Sequence, residues 1–129
     1  MYEQAKAKLN ELLKTMVERG GSDLHLKANA PAYYRINGKL LPADSFVFNP
    51  QQIEQMAFSV MNQRQYQEYM NTNECDMSYS LPGVSRFRVN VFRQSRFTGA
   101  VLRTIPLKIQ SIRDLNLPPM LEKLADRPK

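Results

Sequence analysis

A chain of 129 residues with 43% apolar content fits one compact domain with a single core, which excludes a disordered tail. No apolar run reaches the roughly 18 residues of a membrane-spanning helix, and the N-terminus lacks the apolar segment of a signal peptide, so we expect a cytoplasmic protein. The formal charge of +6 is concentrated in residues 77–113, which contain seven basic residues and no Asp or Glu, and this excess predicts a surface that faces an anion.

The first third of the chain predicts one helix followed by three short strands. Apolar residues at helical spacing predict a helix over about residues 2–19, which Gly20-Gly21 would end. Alternating polar and apolar residues then predict strands at residues 22–27, 33–36 and 39–41. Asn37-Gly38, between the last two strands, is typical of a tight hairpin turn.

Two more helices are predicted in the middle of the chain. Asn49 would cap the first, with Pro50 at its first position, and Asn62 would cap the second. We expect the apolar and aromatic residues of this region to lie in the core: Ile53, Met56, Ala57, Val60, Met61, Tyr66, Tyr69 and Met70.

The second half of the chain returns to strands. Alternation predicts three of them, at residues 75–80, 86–92 and 97–105. A turn at residues 81–83 follows the first, and the last two form a hairpin. Residues 111–114 have the spacing of a capping box, and residues 117–119 would open a final helix. The order α, βββ, αα, βββ, α predicts an α+β fold with a mainly antiparallel sheet.

Motifs for independent catalysis are absent from the sequence. The chain has no G-x-x-x-x-G-K-[ST] loop, no G-x-G-x-x-G and no G-x-S-x-G, so we expect it not to be an enzyme on its own. The only histidine, His25, shares a strand face with Asp23, and we expect a structural hydrogen bond between them. Cys75 is the only cysteine, which excludes an intrachain disulfide and a Cys/His zinc site, and we expect it to be a half-buried apolar residue.

The most informative stretch is R-F-R-V-N-V-F-R-Q-S-R-F-T-G-A-V-L-R-T-I-P, residues 86–106. On its first strand, period two predicts an apolar and a polar face: Phe87, Val89 and Val91 against Arg86, Arg88 and Asn90. Guanidinium groups on adjacent strands are suited to clamping a phosphate or a carboxylate. The alternative is a solvated sheet face, which the spacing alone favours, although a solvated face would tend to mix charges of both signs.

Four segments in order along nearly the whole chain carry a family resemblance: G-G-S-D-L-H-L, P-A-Y-Y-R-I-N-G, P-G-V-S-R-F-R-V-N-V-F-R-Q and V-L-R-T-I-P. They resemble the N-terminal domain of the PilT-like twitching-motility ATPases, the type IV pilus retraction motors of the secretion ATPase superfamily. The resemblance implies a PAS-like domain over residues 1–116, with a mainly antiparallel sheet of about six strands and flanking helices. Residues 117–129 would start a linker to an absent RecA-like ATPase domain.

The same resemblance implies partners and cofactors. Such ATPases form ring hexamers in which the N-terminal domain packs against motor domains of its own and a neighbouring subunit. ATP and Mg²⁺ would bind the full-length parent, between its two domains, and no cofactor would bind this fragment alone. An inner-membrane pilus platform protein would be a partner at the cytoplasmic face of the membrane, and no nucleic acid is expected. The chain would then be a regulatory and assembly domain of the motor that powers pilus disassembly.

The resemblance also implies which residues approach the nucleotide. In this superfamily, arginines on the last strands of the N-terminal domain move towards the phosphates when the cleft between domains closes. The matching positions are Arg88 in R-F-R-V-N, Arg103 in V-L-R-T-I-P and, with a weaker match, Arg96 in the turn. A guanidinium group at the γ-phosphate would neutralise the charge that develops in phosphoryl transfer.

Two other function classes are compatible with these residues. Phe87, Phe92 and Phe97 interleave with arginines as stacking aromatics do in single-strand nucleic-acid binders, although residues 86–92 lack the glycines of the RNP1 pattern. A PAS-like sensor of a small ligand would need a pocket of useful size, and a filled core would count against it.

Overall fold

The computed structural model describes residues 2–105. Within this range there are three helices and six strands, in the order α1 (Glu3–Glu18), β1 (Asp23–Leu26), β2 (Ala30–Ile36), β3 (Lys39–Phe48), α2 (Pro50–Phe58), α3 (Gln63–Thr72), β4 (Glu74–Leu81), β5 (Ser85–Gln94) and β6 (Phe97–Thr104). The strands form one antiparallel sheet in the order β3-β2-β1-β6-β5-β4. The predicted α+β class is therefore confirmed. The predictions for residues 111–114 and 117–129 lie outside the described residues.

Helix α1 follows its predicted apolar stripe. The side chains that it buries are Leu9, Leu12, Leu13 and Met16. Gly20 ends the helix with a φ of 75°, as expected for a left-handed stop. The amide of Gly21 then donates to the carbonyl oxygen of Met16 at 2.8 Å. A Cβ at Gly21 would lie 2.7 Å from Cγ of Met16, so glycine permits this close return of the chain.

Both middle helices begin with the asparagine caps that the sequence predicts. The Asn49 side chain accepts from the Gln52 amide at 2.8 Å, and the Gln52 side chain accepts from the Asn49 amide at 2.8 Å. Asn62 and Gln65 make the same reciprocal pair at the start of α3, at 2.8 and 2.9 Å. Each capping box satisfies backbone amides that a helix end otherwise leaves without partners.

The expected core of the middle helices is partly wrong. Tyr69 is fully buried, but Tyr66 and Met70 are exposed to 37% and 47%. Helix α3 is short and mostly polar, and only its Tyr69 side chain is buried beneath it. Tyr66 instead packs against the edge of the Phe58 ring, with the ring centroids 5.1 Å apart.

Strand β3 is much longer than the predicted residues 39–41, because it continues to Phe48. Pro42 and the polar residues after it interrupt the alternation on which the prediction relied. The strand lies at the edge of the sheet, with β2 on one side only. A proline is tolerated in such a strand because the amides on its outer side have no neighbouring strand to bond. The pairing with β2 shifts register between Pro31 and Tyr33.

The sheet has one covered and one open face. The helices and the covered face share one core, which Tyr34, Tyr69 and Phe87 fill with fully buried side chains. The other face, which we call the open face, carries the alternate residues of each strand, and no described helix packs on it. Within residues 2–105, no helix is both long and apolar enough to cross a bilayer.

Candidate functional site

Arg88 and Arg103 lie directly opposite each other on the open face. They are register partners in the antiparallel pair of β5 and β6, and both are exposed. On β5, Phe87 and Val89 on either side of Arg88 are buried in the core. The predicted separation of an apolar and an arginine face is therefore confirmed, and opposite residues in such a pair have Cβ atoms only about 5 Å apart.

The two arginines belong to a row of side chains that crosses the sheet. Register pairs place these residues side by side from β3 to β4: Leu40, Arg35, Asp23, Arg103, Arg88 and Ser78. We call its four charged members, Arg35, Asp23, Arg103 and Arg88, the arginine row. The row thus contains three guanidinium groups and one carboxylate, which leaves it with an excess of positive charge.

Asp23 binds Arg103 within this row. Its Oδ2 accepts from Nε of Arg103 at 3.2 Å and from Nη2 at 3.0 Å. The Asp23 side chain is only 4% exposed, whereas the Arg103 side chain is 68% exposed. Burial would raise the pKa of Asp23, but the hydrogen bonds and the positive charge of Arg103 outweigh it, so the pKa lies below the ordinary 3.8. Asp23 is therefore an anion that fixes Arg103.

Arg88 has no such partner among the described residues. Within residues 2–105, no acceptor lies within hydrogen-bond distance of its guanidinium group, and the side chain is exposed. Like charges directly opposite each other in a sheet repel. Arg88 and Arg103 therefore offer a pair of cations whose repulsion an anion between them would relieve.

Arg96 lies far from this pair. Ser95 and Arg96 have φ values of 52° and 77° and form the two-residue turn between β5 and β6. At about 3.3 Å per residue, the six steps from Arg88 to Gln94 place the turn that contains Arg96 about 20 Å along the hairpin. The structure thus brings Arg88 and Arg103 together and leaves Arg96 at the opposite end.

His25 does not make the hydrogen bond that was predicted from its position. Asp23 is bound to Arg103 instead, and Nε2 of His25 is buried without a hydrogen-bond partner among residues 2–105. Burial lowers the pKa of His25 below 6.5, and the nearby Arg35 and Arg103 lower it further against the opposing effect of Asp23. The imidazole is therefore neutral near pH 7.

A cavity of about 320 Å³ lies on the open face beside His25. Phe92, Phe97 and Gly99 line it at the turn end of the β5–β6 hairpin. The ring of Phe92 lies over its register partner Gly99, since a Cβ there would be 2.9 Å from the Phe92 Cε1 atom. This cavity thus lies outside the core between the helices and the sheet. A PAS-like sensor would hold its ligand inside that core, and the residues of the core are fully buried, which counts against the sensor alternative.

The aromatic pattern of a nucleic-acid binder is not formed as predicted. Phe87 is completely buried on the covered face and cannot stack on a base. Of these three phenylalanines, Phe92 and Phe97 lie on the open face, and both lie towards the turn, away from the arginine row. This arrangement weakens the nucleic-acid alternative.

Cys75 is more deeply buried than expected, at 1% exposure, and burial raises the pKa of its thiol. Such a thiol is inert towards metals and oxidants at neutral pH. Among residues 2–105, no three His, Cys, Asp or Glu side chains gather into a group that could hold a metal ion.

Sequence reasoning missed Asp23 and Arg35 as members of the site. Arg35 donates from Nη1 to the carbonyl oxygen of Gly38 at 3.1 Å, at the turn that follows its strand. The available signal was the position of Asp23 on the polar side of a short apolar strand, where a carboxylate needs a cationic partner. The cation that pairs with Asp23 is determined by the pairing of β1 with β6, which brings Arg103 from 80 residues away.

By sequence comparison, this chain belongs to the family of the PilT-like type IV pilus ATPases. It is 38% identical over 115 residues to the type IV pilus ATPase PilU of Pseudomonas aeruginosa. This match covers 89% of this chain and 30% of the relative. It is 35% identical over 121 residues to the type IV pilus retraction ATPase PilT of the same organism, covering 94% of the chain and 35% of the relative. The chain therefore spans about a third of the length of these relatives.

Solved structures agree with this placement. A crystal structure of the pilus retraction motor PilT with bound ADP matches 85% of this chain and 32% of that chain, with a TM-score of 0.75 and 35% identity. The ATPase DotB of Legionella pneumophila shares the fold over 78% of this chain and 29% of its own, with a TM-score of 0.68 and 19% identity. No family model matches the sequence.

Proposed function

This chain is homologous to the N-terminal domain of the PilT-like pilus ATPases, and from that relationship we propose that it is the regulatory and assembly domain of a pilus-retraction motor. In this proposal it contributes Arg88 and Arg103 to a nucleotide that a motor domain binds. The chain does not hydrolyse ATP by itself, because the phosphate-binding loop would belong to the motor domain.

The proposal includes the assembly in which the domain acts. The domain packs against motor domains of its own and a neighbouring subunit of a homo-hexamer, at the cytoplasmic face of the inner membrane. There the motor works on a pilus platform protein. The arginine row suits the triphosphate of ATP, and we assign the accompanying Mg²⁺ to the motor domain, where one or two carboxylates and the phosphates themselves would hold it.

The observation that carries the proposal is the opposed pair Arg88 and Arg103 on the open face. Fixed guanidinium groups stabilise the charge on a transferring phosphoryl group because they need little reorganisation when that charge develops. Arg103 is fixed by Asp23, and Arg88 is exposed beside it. Arg96, about 20 Å away along the hairpin, would contact a different group, and we give it no share in the same phosphate.

The test is ATP turnover in the longer protein that joins this chain to its motor domain. We expect Arg88→Ala to lower kcat at least about tenfold, which corresponds to about 1.4 kcal/mol of transition-state stabilisation. Hexamer content is measured on the same samples by size-exclusion chromatography with light scattering. Arg64→Ala is the matched control, since it removes the same charge from exposed helix α3.

The result is clear in either direction. A loss of turnover in Arg88→Ala with intact hexamers and with normal turnover in Arg64→Ala supports the phosphate contact. Normal turnover in both variants would exclude it, and the domain would then act through assembly alone.

A further inference from the structure

We propose that Asp23 is a positioning residue, which holds the Arg103 guanidinium group so that it faces an anion beside Arg88. This inference rests on the proposed phosphate contact of the two arginines. It gives the S-D-L-H segment a chemical role that neither the motif itself nor the similarity to pilus ATPases supplies.

The geometry of the pair supports this role. Oδ2 of Asp23 receives one N–H from Nε and one from Nη2 of Arg103, at 3.2 and 3.0 Å. A guanidinium group has five N–H donors, so three remain, and they lie on the side away from the carboxylate. Because the Arg103 side chain is 68% exposed, those donors are available to a ligand.

The carboxylate that holds Arg103 is buried within the sheet. The Asp23 side chain is 4% exposed and belongs to β1, which has β2 on one side and β6 on the other. Arg35 is the other neighbour of Asp23 in the row, but its Nη1 donates to the carbonyl oxygen of Gly38 at 3.1 Å. Asp23 is therefore available to Arg103. The long, flexible Arg103 side chain is thus preorganised by the short, buried side chain of Asp23.

Two physical effects of Asp23 on an anion oppose each other. Its negative charge repels the anion, so removing that charge would tighten binding if electrostatics alone mattered. The hydrogen bonds of Asp23 orient Arg103 and hold it beside Arg88 although the two guanidinium groups repel each other. Removing these hydrogen bonds would therefore weaken the binding of the anion. We infer that the second effect is larger, because the free donors of Arg103 are exposed while the carboxylate is not.

The experiment uses this 129-residue chain and sodium tripolyphosphate at low ionic strength, with binding followed by ¹⁵N NMR titration. We expect Asp23→Asn to bind at least about fivefold more weakly than the wild type, although its net charge is more positive. Asp76→Asn is the matched control, since it makes the same change on the same face. Asp76 accepts from Asn90 at 2.8 Å and makes no hydrogen bond or ion pair with an arginine of residues 2–105, so we expect unchanged or tighter binding.

The outcomes separate this inference from the proposed function. Binding by Asp23→Asn that equals or exceeds the wild type would overturn the positioning role. If Arg88→Ala binds as the wild type does, or if the wild type does not bind at all, the proposed phosphate contact fails and the inference fails with it.

A second measurement on the wild type decides the matter if Asp23→Asn does not fold. The Nε–H signal of Arg103 should be observable and protected from exchange, unlike that of Arg96 in the exposed turn. Its chemical shift should stay nearly constant as tripolyphosphate is added, because Nε remains on Asp23 while the other nitrogens meet the anion. A signal that exchanges freely, or that moves to the position of Arg96 on titration, would overturn the inference.

Discussion

The arginines of β5 and β6 differ in how firmly the sheet holds them. Arg93 donates from Nε to the Asn73 side chain at 3.1 Å and lies 5.3 Å from the centre of the Tyr69 ring. Arg103 is fixed by Asp23, and Arg88 has no acceptor among residues 2–105. The basic segment of the sequence thus contains one arginine held by neighbouring side chains, Arg93, and two that are exposed to a ligand, Arg88 and Arg103.

His25 provides a residue-scale prediction about pH. Its folded-state pKa lies below the ordinary 6.5, so the unfolded chain binds more protons as pH falls through that value. The free energy of unfolding should therefore decrease between pH 7.5 and 5.5 in the wild type. In His25→Leu, which cannot be protonated, the decrease should be smaller, as measured by urea unfolding at both pH values.

The sign is the same for Asp23, whose folded-state pKa is also lowered, but its effect falls at a lower pH. Its contribution to stability is present above the ordinary pKa of 3.8 and is lost only as pH falls through the lower folded-state value. Its contribution is therefore constant between pH 7.5 and 5.5 and does not account for a change in stability over that range. An equal decrease in wild type and His25→Leu would show that the buried imidazole is not the responsible group.

At the scale of elements, the β5–β6 hairpin carries both the arginine pair and the cavity. Its two-residue turn has positive φ at Ser95 and Arg96, which suits the twist of an antiparallel pair. Nearby, Gly99 lets the ring of Phe92 lie flat across the hairpin, as a glycine and an aromatic register partner commonly do. The turn and the Phe92–Gly99 packing thus lie on the same hairpin as the arginine pair.

Gly99→Ala tests this packing. The added Cβ would lie 2.9 Å from Cε1 of Phe92 and 3.2 Å from the carbonyl oxygen of Leu26, and the backbone cannot easily retreat. We expect a loss of about 1–3 kcal/mol in the free energy of unfolding, measured with urea. In a Phe92→Ala background the same substitution should cost less, because the contacts with the Phe92 ring are gone and the contact with the Leu26 carbonyl oxygen remains. An identical cost in both backgrounds would rule out the ring contact.

Local patterns predicted most elements, and long-range pairing accounts for the rest. The asparagine caps at Asn49 and Asn62 and the hairpin at residues 86–104 follow from residues close in sequence. Strand β3 was underestimated because an edge position, which permits Pro42, is a property of the sheet and not of the segment. The pair of Asp23 and Arg103 joins residues 80 apart, so the sequence alone did not reveal it.

At the scale of the whole molecule, one face of the sheet forms the core and the other face carries the candidate site. The covered face and the helices form one filled core, which gives the chain its stability. The open face carries the arginine row and no described helix. Since the chain spans about a third of its relatives' length, a motor domain that meets this face would complete the nucleotide site that we propose.

The central claim is that Arg88 and Arg103 contact nucleotide phosphates, and a crystal structure of the longer protein with a non-hydrolysable ATP analogue tests it most directly. We predict both guanidinium groups within about 3 Å of phosphate oxygens in a closed subunit, with Arg103 still on Asp23. A closed subunit whose phosphates contact only the motor domain, with the arginine row facing solvent, would contradict the account.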